Sequence, residues 1–281
     1  APGVPDPGRN VAAAEEFIER WQGKNSLLTP AVFCHSPYTC SPETLQRAKE
    51  LARRKNVKFF IHLAETRAEV EQVRKQHGTS PVRYLKNLGL LDRDTICVHC
   101  VWLEQEEIEI LARTGAKVAT CPQSNMKTGF GITPLKEILD AGISAGLGTD
   151  GCASNNRLDM FFEMDMCAKI HKVKDLDATV LPAAKVLQMA TIDGARVLGL
   201  EDDIGSLEPG KKADVALIDC RQPHLQPFYD PGILVYAANG GDVATSIIDG
   251  KLVMLDRKIL TFDVEEVMLK VRKLVKKLLG P

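Results

Sequence analysis

The sequence has 281 residues, of which 44% are hydrophobic and 26% are charged, and this balance is typical of a folded globular protein. Its 36 basic and 37 acidic side chains give a net charge of -1, which excludes the broad positive field that a nucleic-acid backbone requires. Aromatic residues make up only 5% of the chain, so few side chains are available to stack on bases. We therefore expect no nucleic-acid partner.

Eight cysteines are scattered along the chain, and no signal peptide precedes them. We interpret them as reduced thiols of a cytoplasmic protein. No apolar run is long enough to span a bilayer, so no membrane partner is expected. Cys97 and Cys100 have the spacing of a metal or redox pair, but residues three apart on a strand face opposite sides. We therefore expect these two to be buried structural thiols.

Five units of strand followed by helix are predicted in the first two thirds of the chain, after a Pro- and Gly-rich start and a helix at Val11–Trp21. The strands are predicted at Leu27–Phe33, Val57–Ile61, Thr95–Val98, Ala116–Thr120 and Ile143–Leu147. The helices after them are predicted at Pro42–Lys55 (capped by Ser41), Arg67–Gln76, Glu104–Arg113, Pro134–Asp140 and Leu158–His171, with a further helical piece at Pro81–Leu88 and a loop from Cys121 to Gly131.

Alternation of this kind implies a parallel sheet with right-handed crossovers, which is an α/β fold. A closed TIM barrel needs eight strands, so five units indicate either an open sheet or the last part of a barrel. The irregular N-terminus favours an incomplete barrel.

The pattern changes after the helical stretch Val180–Leu198. A strand is predicted at Ala213–Ile218, and a hairpin at Ala244–Ile248 and Lys251–Leu255 turns through Asp249-Gly250. Val264–Leu279 has the apolar spacing of an amphipathic helix with a solvated outer face. We expect two domains, a partial barrel over residues 1–200 and a small β segment with a C-terminal helix over residues 201–281.

Polar side chains recur where the predicted strands end, at His35, His62, Glu65, His99, Asn125 and Asp150. A single histidine or aspartate at such a position is more often structural, but the ends of parallel strands share one rim of an α/β barrel. Their joint occurrence predicts one metal and proton-transfer site. Imidazole and carboxylate suit zinc or ferrous iron, with one divalent ion per site. The remaining histidines are expected at the surface, at His77, His171 and His224.

Several motifs resemble the amidohydrolase superfamily, and within it the 5-methylthioadenosine/S-adenosylhomocysteine deaminase branch of the chlorohydrolase and deaminase group. They are His62-Leu63-Ala64-Glu65-Thr66, Val98-His99-Cys100, Ser124-Asn125-Met126-Lys127, Gly148-Thr149-Asp150-Gly151 with Ser154-Asn155-Asn156, and His35-Ser36-Pro37-Tyr38-Thr39-Cys40. The resemblance runs from about Trp21 to the end of the chain. It implies a TIM-barrel, metal-dependent aminohydrolase that releases ammonia from adenine nucleosides such as 5-methylthioadenosine, S-adenosylhomocysteine and adenosine.

The resemblance also implies a role for each matching residue. His62 and Asp150 would bind the metal, and Asp150 would also contact substrate and accept a proton. Glu65 would move a proton to the purine ring and hold the substrate. His99 would lie beside the attacking water, and His35 would contact the substrate.

One part of the family pattern is missing, because the first barrel strand of the family ends in His-x-His and no His-x-His occurs in this sequence. Two hypotheses stay open. The chain is the C-terminal part of an enzyme whose N-terminal segment is absent or separate, or it is a catalytically silent chain that binds a ligand or a partner, including a second copy, through an exposed strand edge. Within the enzyme class, guanine deaminase and triazine hydrolase are the alternatives.

Overall fold

Two β-sheets organise the chain, a parallel sheet of five strands and an antiparallel sheet of four. The computed structural model describes residues 6–280. The irregular start predicted for the chain lies largely outside this range, and Pro7–Arg9 forms a short 3-10 turn. Across residues 6–280, no helix is both long and apolar enough to cross a membrane.

The parallel sheet has its five strands in chain order, and every neighbouring pair is parallel. The strands are β1 (Val32–Cys34), β2 (Phe59–Leu63), β3 (Thr95–His99), β4 (Lys117–Thr120) and β5 (Ala145–Leu147). The five predicted strands and their parallel arrangement are therefore confirmed. Their bounds differ by a few residues, and the difference at β2 places His62 inside the strand.

Helices precede, separate and follow these strands. They are α1 (Asn10–Trp21), α2 (Pro42–Lys55), α3 (Arg67–His77), α4 (Pro81–Asn87), α5 (Gln105–Thr114), α6 (Pro122–Thr128), α7 (Leu135–Asp140), α8 (Cys152–Asn155), α9 (Met160–Asp175), α10 (Ala183–Met189) and α11 (Ile192–Leu198). The predicted start of α2 is confirmed, because the Ser41 hydroxyl accepts a hydrogen bond from the Thr44 amide and Pro42 lies in the first turn.

The core lies between this sheet and its helices. The register aligns Ile61, Cys97, Val118 and Ala145 across four strands, and all four are at most 1% exposed. Because side chains alternate along a strand, the next row faces the other side of the sheet. That row contains His62 and ends at Gly146.

The loop predicted between Cys121 and Gly131 is wrong, because α6 occupies most of it. Pro122 in the first turn and a left-handed Gly129 at the end are the residues that start and stop a short helix. The surface position predicted for His171 is also wrong, since this residue is 1% exposed. It lies on the buried face of α9, where its Nε2 is 3.1 Å from the Thr133 carbonyl oxygen.

Cys97 and Cys100 are both fully buried, as expected, and all eight cysteines are free thiols. The argument from strand alternation applies only to Cys97, because β3 ends at His99. His99 and Cys100 have φ values of 72° and 51°, and this left-handed turn brings the Cys100 Sγ to 3.7 Å from the Cys97 carbonyl oxygen.

The antiparallel sheet contains β6 (Val215–Ile218), β7 (Val243–Ile248), β8 (Lys251–Leu255) and β9 (Lys258–Ile259). The predicted hairpin between β7 and β8 is confirmed, and both turn residues, Asp249 and Gly250, have positive φ. A short helix, α12 (Ile233–Tyr236), precedes β7, and the exposed helix α13 (Val264–Leu279) follows the sheet. The boundary near residue 200 stays a prediction.

Candidate active site

Three histidines lie in a row across the carboxyl ends of β1, β2 and β3. The ring centroids of His35 and His62 are 5.3 Å apart, and those of His62 and His99 are 5.0 Å apart. The ring of Phe33, on β1, meets the His62 ring edge-on, with the two centroids 4.9 Å apart. The convergence of these strand ends follows from the parallel register, as the sequence predicted.

His62 occupies the centre of this row and is partly buried. Burial, with smaller contributions from the neighbouring His99 and His35 rings, lowers its pKa to about 4. The imidazole is therefore neutral at physiological pH and keeps a lone pair. Its Nδ1 is buried without a hydrogen-bond partner among the described residues.

Glu65 and His99 face each other, with Glu65 Oε1 3.4 Å from His99 Nε2. The other ring nitrogen of His99, Nδ1, lies 2.9 Å from the Asn125 side-chain oxygen. An amide oxygen only accepts hydrogen bonds, so Nδ1 carries the proton and Nε2 presents its lone pair in the neutral ring. A lone pair and a carboxylate oxygen at this distance attract a proton or a cation between them.

Asp150 follows β5 in a left-handed conformation, with φ of 59°. The Ser124 hydroxyl donates to its Oδ2 at 2.6 Å, and the Gly151 amide donates to its Oδ1 at 2.7 Å. Burial raises the pKa of this carboxyl, but these hydrogen bonds and the nearby His99 and His62 rings lower it by more. Asp150 is therefore held as a carboxylate.

A metal ion fits the donor chemistry of this site. Within residues 6–280, the ligand atoms of His62, Glu65 and His99 all lie within 4.8 Å of one another. Two imidazoles and a carboxylate are the donor set that zinc prefers, and the unpartnered His62 Nδ1 and His99 Nε2 are buried at the same place. The motif resemblance implied that His62 and Asp150 bind the metal. The compact group in the structure contains His62 together with Glu65 and His99, and it does not include Asp150.

His35 is the exposed member of the histidine row, so it marks the open side of the site. Its Nδ1 is 2.8 Å from the Thr39 hydroxyl, and its ring meets Tyr38 edge-on at 6.1 Å. The motif from His35 to Cys40 thus folds back on itself and orients the imidazole. The other nitrogen of the ring remains available to a bound molecule.

A buried carboxylate that the sequence did not single out supports the Asp150 segment. Glu163 is fully buried in the first turn of α9, and it accepts hydrogen bonds from the Gln123 backbone amide at 3.1 Å and from the Asn155 side chain at 2.6 Å. The Asn155 side chain also donates to the Thr149 carbonyl at 2.8 Å. Only the Asn155 part of this network was visible in the sequence, within the Ser-Asn-Asn motif.

A parallel α/β sheet with imidazoles and carboxylates at the carboxyl ends of neighbouring strands is the arrangement of the TIM-barrel metallo-hydrolase fold, of which this chain forms five strand-helix units. The chain belongs to the amidohydrolase family, whose model matches residues 6–253. The resemblance stated from the motifs is thereby confirmed.

Two curated relatives of this chain are both named 5-methylthioadenosine/S-adenosylhomocysteine deaminase. The protein from Syntrophobacter fumaroxidans is 49% identical over 92% of this chain and 59% of its own length. The protein from Desulforamulus reducens is 44% identical over 99% of this chain and 64% of its own length. The chain thus spans about three fifths of the length of the curated relatives it matches.

A solved structure with the same fold is an adenosine deaminase from Xanthomonas campestris with bound zinc. It superposes with a TM-score of 0.91 at 36% identity, covering 95% of this chain and 61% of that one. The fold expected from the sequence is confirmed by this agreement.

Proposed function

We propose that this chain carries most of the active site of a zinc-dependent hydrolytic deaminase of adenine nucleosides, such as 5-methylthioadenosine and S-adenosylhomocysteine. The proposal rests on one observation. The ligand atoms of His62, Glu65 and His99 lie within 4.8 Å of one another, and Asp150 is close to both imidazoles. The relatives named as deaminases of these two nucleosides, at 44% and 49% identity, support the substrate class.

The proposed roles divide the site between metal and substrate. His62 and Asp150 would hold the ion, next to the Glu65 and His99 ligand atoms that lie within 4.8 Å of that of His62, and the bound ion would activate water at neutral pH. Ferrous iron has the same ligand preference, and the neighbouring structure with bound zinc supports zinc.

The substrate side of the site has three residues. Glu65 would hold the purine and move a proton from the attacking water to the ring nitrogen, and Asp150 would accept the second proton and pass it to the departing amino group. His99 orients that water through its Nε2, and His35 contacts the substrate from the open side. Loss of ammonia from the amino-bearing carbon completes the reaction.

The rest of the proposal concerns what surrounds the site. Two further ligands are expected from a His-x-His motif. That motif would lie on a segment that corresponds to the part of the relatives not covered by this chain, or on a second polypeptide. Residues 1–200 form the catalytic domain and residues 201–281 a smaller one. The free thiols support a reducing, cytoplasmic location.

The proposal is tested by ammonia release from 5-methylthioadenosine, S-adenosylhomocysteine, adenosine and guanine, with metal content measured on the same zinc-loaded preparation. The chain is assayed alone and mixed with the N-terminal segment of a relative that contains His-x-His. We expect about one zinc per chain and ammonia from the adenine nucleosides. Asp150→Asn should abolish both, whereas Asp140→Asn, an exposed aspartate on α7, should change neither.

Each other outcome contradicts a defined part of the proposal. Ammonia from guanine alone would identify a guanine deaminase. Bound zinc without ammonia from any of the four would refute the deaminase. No bound zinc in either preparation would favour a catalytically silent binding chain.

A further inference from the structure

Glu69 is a buried carboxylate next to the site, and both its oxygens bind backbone amides of the segment that contains Glu65. It is the third residue of α3 and is 3% exposed. Its Oε1 accepts a hydrogen bond from the Ala64 amide at 3.0 Å, and its Oε2 accepts one from the Glu65 amide at 2.7 Å. One buried carboxyl group thus binds two successive backbone amides.

The turn that Glu69 holds is conformationally strained. Ala64 has φ of 50°, a left-handed conformation that an L-residue other than glycine seldom adopts. Its carbonyl oxygen accepts hydrogen bonds from the Val101 amide at 3.0 Å and the Trp102 amide at 2.8 Å. The Ala64 residue is thus held from the α3 side through its amide and from the segment after β3 through its carbonyl.

Helix capping does not account for this arrangement. The N-cap of α3 is Thr66, whose hydroxyl accepts the Glu69 amide at 3.0 Å. The Glu69 side chain reaches further back than the N-cap, to the two residues that precede Thr66. The carboxylate therefore stabilises the conformation of the turn that carries Glu65.

We propose that Glu69 is the positioning residue that holds Glu65 beside His99. The 3.4 Å separation of Glu65 Oε1 and His99 Nε2 then depends on the two hydrogen bonds that Glu69 accepts. This inference rests on the proposed function only for the catalytic importance of Glu65. The contact itself is measurable without turnover.

Glu107 provides a matched control. It is the third residue of α5, is 2% exposed, and accepts the Glu104 amide at 2.8 Å in a capping box. It therefore has the same position in its helix and the same burial as Glu69. Its side chain holds the start of α5 and not the turn before a candidate site residue.

The test is nuclear magnetic resonance on the full chain, with the native protein compared with Glu69→Ala, Glu69→Gln and Glu107→Ala. The native protein should show a cross-relaxation peak between the Glu65 γ-methylene and the His99 Hε1 proton. Glu69→Ala should lose this peak, and amide exchange at Ala64 and Glu65 should accelerate by about ten- to a hundredfold. Glu107→Ala should keep the peak and the slow exchange.

Glu69→Gln preserves the size of the side chain and one acceptor oxygen, so it serves if the alanine variant does not fold. It should accelerate exchange at one of the two amides and weaken the peak. Persistence of the peak at native strength in both Glu69 variants would overturn the proposal, as would its absence from the native protein.

Kinetics separate this proposal from the proposed function. In a preparation that releases ammonia, Glu69→Ala should lower kcat by about 10² and also raise KM, because the displaced Glu65 both delivers the proton and holds the purine. An unchanged kcat would refute the positioning role while the deaminase assignment stands. A lost peak in a chain that never releases ammonia would refute the deaminase and leave the positioning of Glu65 supported.

Discussion

Replacement of Glu69 by glutamine should change the pH dependence of stability in a direction set by burial. Burial raises the pKa of this carboxyl from 4.5 to about 7, although the amides of Glu65 and Ala64 oppose the rise. The folded protein therefore keeps the proton up to about pH 7, whereas the unfolded chain releases it near its ordinary pKa. The stability that the protonated group contributes is complete below pH 4.5 and is lost as the pH rises through about 7.

The magnitude follows from the two pKa values. Each pKa unit corresponds to about 1.36 kcal/mol, so a change from 4.5 to about 7 amounts to ~3 kcal/mol. Because Glu69 is 3% exposed, solvent screens this effect little. Glutamine does not titrate, so the free energy of unfolding of the native protein should fall by ~3 kcal/mol relative to Glu69→Gln between pH 4.5 and pH 8.

The assay is urea unfolding of both proteins at a series of pH values, with the difference in unfolding free energy plotted against pH. Titration of other groups cancels in this difference. Thr66→Ala is the control, because it removes the cap of α3 and should cost about 1 kcal/mol at every pH. A native-minus-glutamine difference that does not vary with pH would refute the reasoning.

Three further substitutions test the site and the fold. Ser124→Ala removes the hydroxyl that donates to Asp150 and should weaken zinc binding by about 10- to 100-fold in a competition titration; unchanged affinity would argue against Asp150 as a ligand. Gly146→Ala places a Cβ 3.0 Å from the Gly194 Cα and should lower the free energy of unfolding by about 1–3 kcal/mol in urea. Burial lowers the pKa of His171, so its neutral ring donates one N–H, either to the Cys167 or to the Thr133 carbonyl oxygen. His171→Leu removes that donor and should cost about 1–3 kcal/mol in the same assay, and an unchanged stability would show that other groups satisfy the carbonyl.

Local sequence patterns predicted the type and order of most elements. The helix start at Ser41-Pro42 and the turn at Asp249-Gly250 depend only on residues that are adjacent in sequence, so they can be predicted without the tertiary structure. The short helix α6 was missed because a seven-residue helix has too few residues to show a period. His171 was misplaced for a related reason, since α9 is buried on a face that its mixed apolar pattern does not reveal.

The sequence by itself determined that side chains at neighbouring strand ends meet in one place. His35, His62 and His99 follow or end neighbouring strands, and parallel strands bring their carboxyl ends to one edge whatever the details of packing. Repetition of the strand-helix unit was therefore sufficient to predict convergence.

Only the tertiary structure decided how those side chains are oriented and which neighbours hold them. The tautomer of His99 depends on Asn125, and the orientation of Glu65 depends on a turn whose amides bind Glu69. Asp150 depends on Ser124, 26 residues away along the chain. Contacts of this kind join different strand-helix units, and hydrogen-bond geometry at that range is set by the packing of whole elements and not by local residue preference.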